Sequence, residues 1–221
     1  MRNDSDAQPG TDLEGFASPR IVLVAGVPRS GSTWVFNAAR LAARAGGLET
    51  YATWIGDYDP ARRMALHVVK AHRPDDIDFE PDIVLTTWRD RAECIASLVR
   101  MNWLKYEREA IGRVWKYHDS LYEYWDARSR LETPYDMIGS RPDLAVRGIA
   151  GVLGLDLASE QCRMIAAALQ DLRAPASGSY DPVTLLHPRH RNRPGSSEPG
   201  PEDIRRLIGG DNLGRGAGSA G

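Results

Sequence analysis

Cysteine is scarce in this chain: two thiols in 221 residues, Cys94 and Cys162, far apart in the sequence. That excludes a disulfide scaffold and a cysteine-rich metal site, and it reads as reduced, buried thiols of a cytoplasmic protein. Net charge is nearly absent too, at −2, so no global field draws the chain toward nucleic acid. No apolar run reaches the ~18 residues of a membrane-spanning helix, so neither a span nor a membrane partner is expected. The opening MRNDSDAQPGTDLEG is polar and acidic and lacks the apolar core of a signal peptide. No cluster of Asp and Glu has the look of a metal site, and no internal repeat is visible.

What is present suits one α/β domain. Apolar residues make up 42% of the chain, enough for a substantial core. Residues 1–18 and 209–221 are rich in Gly, Ser, Asp or Pro and read as mobile tails, which leaves 19–208 as the domain. Within it, short apolar runs alternate with helical periods. Ile21 to Ala25 (IVLVA), Met64 to Lys70 and Ile83 to Thr87 read as strands buried on both faces. Ser32 to Ala45, Arg91 to Met101, Glu107 to Arg130, Leu144 to Leu153 and Ser159 to Leu172 read as helices. The expected architecture is three-layered, a mostly parallel central sheet flanked by helices.

Between the first strand and first helix lies Gly26-Val27-Pro28-Arg29-Ser30-Gly31-Ser32-Thr33-Trp34. A turn at that place aims successive backbone N–H groups at one point, and the helix N-terminus adds partial positive charge. Gly31 allows close approach of an anion, and Ser30, Ser32 and Thr33 add hydroxyl groups. The loop resembles a Walker A loop with one departure: Ser32 stands where an ATP-using enzyme has lysine. Its cation, Arg29, comes earlier. Two further arrangements follow. Lys70 and His72 end the second strand, two residues apart, so both side chains can point the same way. Arg89 follows the third strand with Ser97 eight residues on, about two helical turns into the next helix, a guanidinium and a hydroxyl able to meet one anion.

Taken in order, these segments resemble the P-loop sulfotransferase family, over about residues 20–195. Pro28 to Trp34 is similar to the family's 5′-phosphosulfate loop. Arg89 and Ser97 are similar to its 3′-phosphate pair. Val69-Lys70-Ala71-His72 looks like its Lys-Thr-His segment, with Ala71 in place of Thr. The resemblance implies a nucleotide-binding α/β fold of P-loop type and a co-substrate, 3′-phosphoadenosine-5′-phosphosulfate (PAPS), released as 3′,5′-ADP, with no metal. It implies nucleotide contacts from Arg29, Ser30, Gly31, Ser32, Thr33, Trp34, Arg89, Ser97 and Tyr135, the two rings near adenine. It also implies that His72 is the general base, with Lys70 and Arg29 stabilising the transferring group. The late basic stretch His187 to Gly195 matches the family's closing loop loosely and puts Arg191 and Arg193 beside the 3′-phosphate. The rings of Trp34 and Tyr135 are equally compatible with core packing, and the basic stretch with a solvated surface.

The acceptor implied is a small molecule with a hydroxyl group, an amine being second choice, and the protein a monomer or homodimer. Residues 46–63 and 102–113 are expected on the acceptor side, with Tyr51, Trp54, Tyr58 and Trp103 either lining it or packing loops. Some sulfotransferases take their base from a carboxylate after the first helix, a place held here by Glu49 and Asp57. Two other functions fit the same loop: a P-loop kinase acting on a small molecule, which the missing lysine opposes, and a nucleotide-binding module without catalysis.

Overall fold

The structure is a computed structural model that describes residues 19–176, 178–190 and 198–209. The expected tails lie almost wholly outside the described residues, as do Arg191 and Arg193. Five parallel strands form one sheet in the order β2-β3-β1-β4-β5: β1 (Arg20–Val24), β2 (Thr50–Trp54), β3 (Leu66–Lys70), β4 (Ile83–Trp88) and β5 (Leu131–Pro134). The expected α/β sandwich is present, and every strand pairing among the described residues is parallel.

The continuous apolar run of β1 reflects cover on both faces of the sheet. Val22 and Val24 point into a core built with α1 (Ser32–Ala45), α5 (Pro142–Val152) and α6 (Ser159–Asp171). Leu23, between them, points the other way, toward Leu121 and Trp125 of α3 (Arg108–Asp126) and Cys94 of α2 (Arg91–Arg100). Alternate residues of one strand thus serve opposite layers. Asp90 caps α2 by accepting the Glu93 N–H at 3.1 Å. The remaining helices are α4 (Tyr135–Ser140) and α7 (Pro201–Gly209), the latter inserting Ile204 between α2 and α3.

Five elements differ from the sequence-based expectation, among them the short helix α4, which the sequence pattern does not set apart. Residues 46–63 are not loop throughout: Thr50–Trp54 is the edge strand β2, a half-covered strand whose TYATW carries no clean alternation. Strand β5, LETP, is four residues long and leads straight into α4. The long third helix stops at Asp126 rather than at 130, because the Arg130 N–H turns back to the Val84 carbonyl at 2.8 Å as the chain enters β5. Helix α7 had no reading at all; its stability comes from docking Ile204, a tertiary effect.

The helix after β1 packs on one face and the helix after β4 on the other. These two strands are adjacent. Connections that leave in opposite directions from neighbouring parallel strands open a crevice at their carboxyl ends, the usual ligand position in such sheets.

Candidate functional site

The loop after β1 fills that crevice. It reaches α1 through residues in the left-handed region: Gly26 (φ +138°), Arg29 (φ +73°) and Gly31 (φ +109°). Two of the three are glycine for steric reasons. A Cβ on Gly26 would stand 2.8 Å from Thr87 Oγ1, and one on Gly31 would stand 2.8 Å from Ile138 Cδ1 and 3.1 Å from Tyr135 Cδ2. Ser30 holds the loop down: its hydroxyl donates to the Val27 carbonyl at 2.7 Å and is bonded to Thr87 Oγ1 on β4. The first N–H groups of α1 have no intrahelical acceptor, and its first turn carries no acidic residue.

Strand β3 delivers the next pair. Lys70 is its last residue, in register with Val24 of β1 and Trp54 of β2. Nζ of Lys70 lies 3.2 Å from Nε2 of His72, and His72 Nδ1 is 2.7 Å from the Gly26 carbonyl oxygen. A carbonyl only accepts, so Nδ1 carries the proton and Nε2 keeps its lone pair. Trp54 stands over both, 4.9 Å from the Lys70 ammonium and 5.5 Å between ring centroids for His72. The Trp125 indole N–H donates to the His72 carbonyl at 3.2 Å and anchors the segment from below.

Strand β4 brings Arg89. Its guanidinium lies 3.7 Å from the centre of the Tyr135 ring, pairs with Glu93 at 2.8 Å and donates to the Arg29 carbonyl at 3.1 Å. Arg29 instead donates from Nε to Ser97 Oγ at 2.9 Å. Arg29 and Lys70 have no carboxylate within ion-pairing distance among the described residues, whereas Arg89 has Glu93.

Burial without counter-charge shifts the titrations. Burial first, then the Arg29 charge, pulls the Lys70 ammonium down to about 7. Burial, then Lys70, holds His72 well below the ordinary imidazole value. Burial also lowers the Arg29 guanidinium, with Tyr135 opposing and Arg89 adding to the effect. The site therefore contains a neutral imidazole whose Nε2 lone pair faces Lys70 Nζ, beside cations that an anion would stabilise.

Most of the sequence-derived residues line two adjoining cavities that share Arg29; Ser30, which is buried, and Trp34 line neither. The first, about 120 Å³, is lined by Arg29, Gly31, Ser32, Thr33, Lys70, His72, Arg89 and Tyr135. Trp103 and Tyr180 also line it, and Tyr180 had no local signal in the sequence. The second, about 360 Å³, is lined by Arg29 and Ser97 but not by Arg89. Trp34 is half-buried and packs against the core of α1 and the sheet. Tyr51 and Tyr58 belong to a packing cluster with His67, whose Nδ1 is 3.0 Å from the Tyr58 hydroxyl, whereas Trp54 stands against Lys70 and His72 and Trp103 lines the smaller cavity. Glu49 precedes β2, at the end opposite Trp54. Five strand residues place it about 16 Å from the carboxyl edge. Asp57 sits beyond that edge in an exposed turn.

No protein-family model matches the chain, and no curated protein matches it in sequence. Solved structures do. The mouse sulfotransferase SULT7A1, complexed with PAP, superposes with a TM-score of 0.54 at 13% identity, over 88% of this chain and 77% of that one. The chain shares a sulfotransferase fold. Retinol dehydratase, in complexes with androsterone and inactive cofactor PAP and with retinol and PAP, matches at 15% identity with TM-scores of 0.45 and 0.44. Those alignments cover 70% and 69% of this chain, which spans 66% and 65% of the two retinol dehydratase chains, just under two thirds. At these identities the likeness is one of fold. Among the described residues no helix is long and apolar enough to cross a membrane, and no group of His, Cys, Asp or Glu has metal-binding spacing.

Proposed function

We propose that the protein transfers the sulfuryl group of PAPS to a hydroxyl group of a small-molecule acceptor. The observation that carries this reading is the pairing of two cations lacking carboxylates, the half-buried Arg29 and the buried Lys70, with a neutral histidine 3.2 Å from one of them. Such a site suits a dianionic group and a proton to be removed. The residues fit the co-substrate: a glycine-bearing loop at a helix N-terminus for the 5′-phosphosulfate, and Ser97 in the larger cavity for the 3′-phosphate. PAPS supplies the sulfuryl group and an easily displaced nucleotide phosphate.

The chain's own residues do the rest. His72 Nε2 takes the acceptor's proton as the acceptor oxygen bonds to sulfur. The Gly26 carbonyl holds the ring in the tautomer that leaves the Nε2 lone pair unprotonated, facing Lys70 Nζ. Lys70 and Arg29 stabilise the charge that builds on the oxygen released from sulfur, without a metal. Tyr135 and Trp34 serve adenine in this reading; Arg191 and Arg193, which the resemblance assigns to the 3′-phosphate, lie outside the described residues. Glu49 is too remote to act as the base.

The test is transfer from labelled PAPS to a panel of phenols, alcohols and amines in excess EDTA, with ATP plus Mg²⁺ in parallel. Labelled sulfated product under EDTA supports the reading. Phosphoryl transfer from ATP, abolished by EDTA, would replace it with the kinase.

A further inference from the structure

Lys70 is buried at the end of β3 without a counter-charge. The ionisable groups around it are Arg29, from the phosphate loop, and His72, two residues along its own segment; His118 of α3 bears on His72 in turn. All three are bases, and no carboxylate is among the charges acting on Lys70.

What faces the ammonium instead is a ring. Trp54 ends the edge strand β2 in register with Lys70, so the two side chains leave the sheet on the same face. Lys70 Nζ lies over the indole, 4.9 Å from its centre. The His72 ring lies 5.5 Å from the same indole, centre to centre, tilted by 56°. Trp54 is half-buried and packs on the core shared with α1. The turn after it leaves room for the indole: a Cβ on Gly56 would stand 3.2 Å from Cδ1 and 3.3 Å from Nε1 of Trp54. The smaller cavity is lined by Lys70 and His72 but not by Trp54, so the ring touches the pair rather than the space a nucleotide would enter.

An aromatic face stabilises a cation through its quadrupole without neutralising it. A carboxylate in the same place would cancel the Lys70 charge and repel an anionic ligand. The ammonium has three donors, one of which meets His72 Nε2 at 3.2 Å, and the ring leaves the others for a ligand.

We infer that Trp54 is a positioning residue for the transfer step: its indole face stands in for a counter-charge, keeping the Lys70 ammonium charged and beside His72 while leaving its positive charge for the transferring group. This role rests on the proposed transfer from PAPS, but the action of Trp54 on Lys70 can be read without turnover.

The chain contains three lysines, Lys70, Lys105 and Lys116, and only Lys70 is buried. Magnetic-resonance titration of the unliganded full chain, labelled with carbon-13 at the lysine ε-carbon, follows it directly, with Lys70→Met assigning the signal. In Trp54→Leu the Lys70 titration should move to lower pH by on the order of one unit, and in Trp54→Phe, whose ring holds cations less strongly, by less. Relief of burial by a smaller side chain would move it to higher pH, so a residue that only fills space gives the opposite sign. The alkaline limb of the pH–rate profile for transfer from PAPS should shift to lower pH as well, further for Trp54→Leu than for Trp54→Phe. A Lys70 titration unchanged or raised in Trp54→Leu overturns the inference; if that variant does not fold, the same result in Trp54→Phe overturns it. The expected shift in a protein whose wild type transfers nothing from PAPS would keep the action of Trp54 on Lys70 and remove the PAPS reading instead.

Discussion

Nε2 of His72 faces Nζ of Lys70 across 3.2 Å, with the opposite ring nitrogen donating to the Gly26 carbonyl at 2.7 Å. One strand end therefore presents a proton acceptor and a cation to the same point, and the phosphate loop itself sets the tautomer. The loss of this imidazole should be specific to turnover. His72→Ala is expected to lower sulfuryl transfer about 100-fold or more, the usual scale for removing a general base, with 3′,5′-ADP affinity retained. Glu49→Gln, altered at the far end of β2, should stay near wild type. Steady-state rates at saturating PAPS decide it: an active His72→Ala variant would remove His72 from the mechanism.

Nucleotide binding should depend on pH through Lys70. Its ammonium titrates at about 7 in the unliganded site because of burial and the Arg29 charge. A bound anion favours the charged form and raises that value. Binding therefore takes up a proton above pH 7, and affinity for 3′,5′-ADP should fall as pH rises from about 6.5 to 8.5. Lys70→Met should bind more weakly and flatten this dependence. Titrations in buffers of different ionisation enthalpy would count the proton directly; zero uptake at pH 8 contradicts the assignment.

Acid should weaken the fold before the carboxylates titrate. Burial, and then Arg91, pulls the His118 imidazole to about 4 from 6.5, and His72 is also held well below 6.5. Both have depressed folded-state values, so the unfolded chain binds more protons below pH 6.5. Stability is fully present above about pH 6.5 and declines as pH falls toward 4. The His118 difference, 6.5 − 4 = 2.5 pH units, corresponds to about 3 kcal/mol at the acid end. His118 Nδ1 is buried without a partner. His118→Leu should therefore reduce the pH slope at little cost in neutral stability. Urea denaturation at pH 4.5, 5.5 and 7 tests this, an unchanged slope counting against it.

Gly31 and Gly47 make a matched pair. Both have positive φ, +109° and +78°, but a Cβ at Gly31 meets Ile138 at 2.8 Å while one at Gly47 meets nothing within 4 Å. Gly47→Ala should cost about 1–2 kcal/mol of stability, the left-handed penalty alone, and leave nucleotide affinity intact. Gly31→Ala should cost more and also impair binding, because Tyr135 and Ile138 must shift. Equal effects on binding from both substitutions would mean that the loop geometry at Gly31 is not a binding feature.

The local order of the chain was legible residue by residue. IVLVA had to be a strand covered on both faces, and Ser32–Ala45 carries a helical period with glycines ahead of it, so the loop between them was visible as an anion cradle. Lys70 and His72 could be paired from their spacing at a strand end. Strands β2 and β5 could not, because edge strands are short, half-covered and weakly patterned. Which guanidinium meets Ser97 was also beyond the sequence. Spacing into one helix pairs Arg89 with Ser97, but β1 and β4 lie side by side in the sheet, so Arg29 arrives from 68 residues away to take that hydroxyl. Arg89 then turns to Tyr135, the first residue after β5. Short-range periodicity decides secondary structure because it reports which face of an element is buried. Side-chain partners across the crevice depend on how the strands order in the sheet, and that ordering is settled only when the two cores close on either side of it.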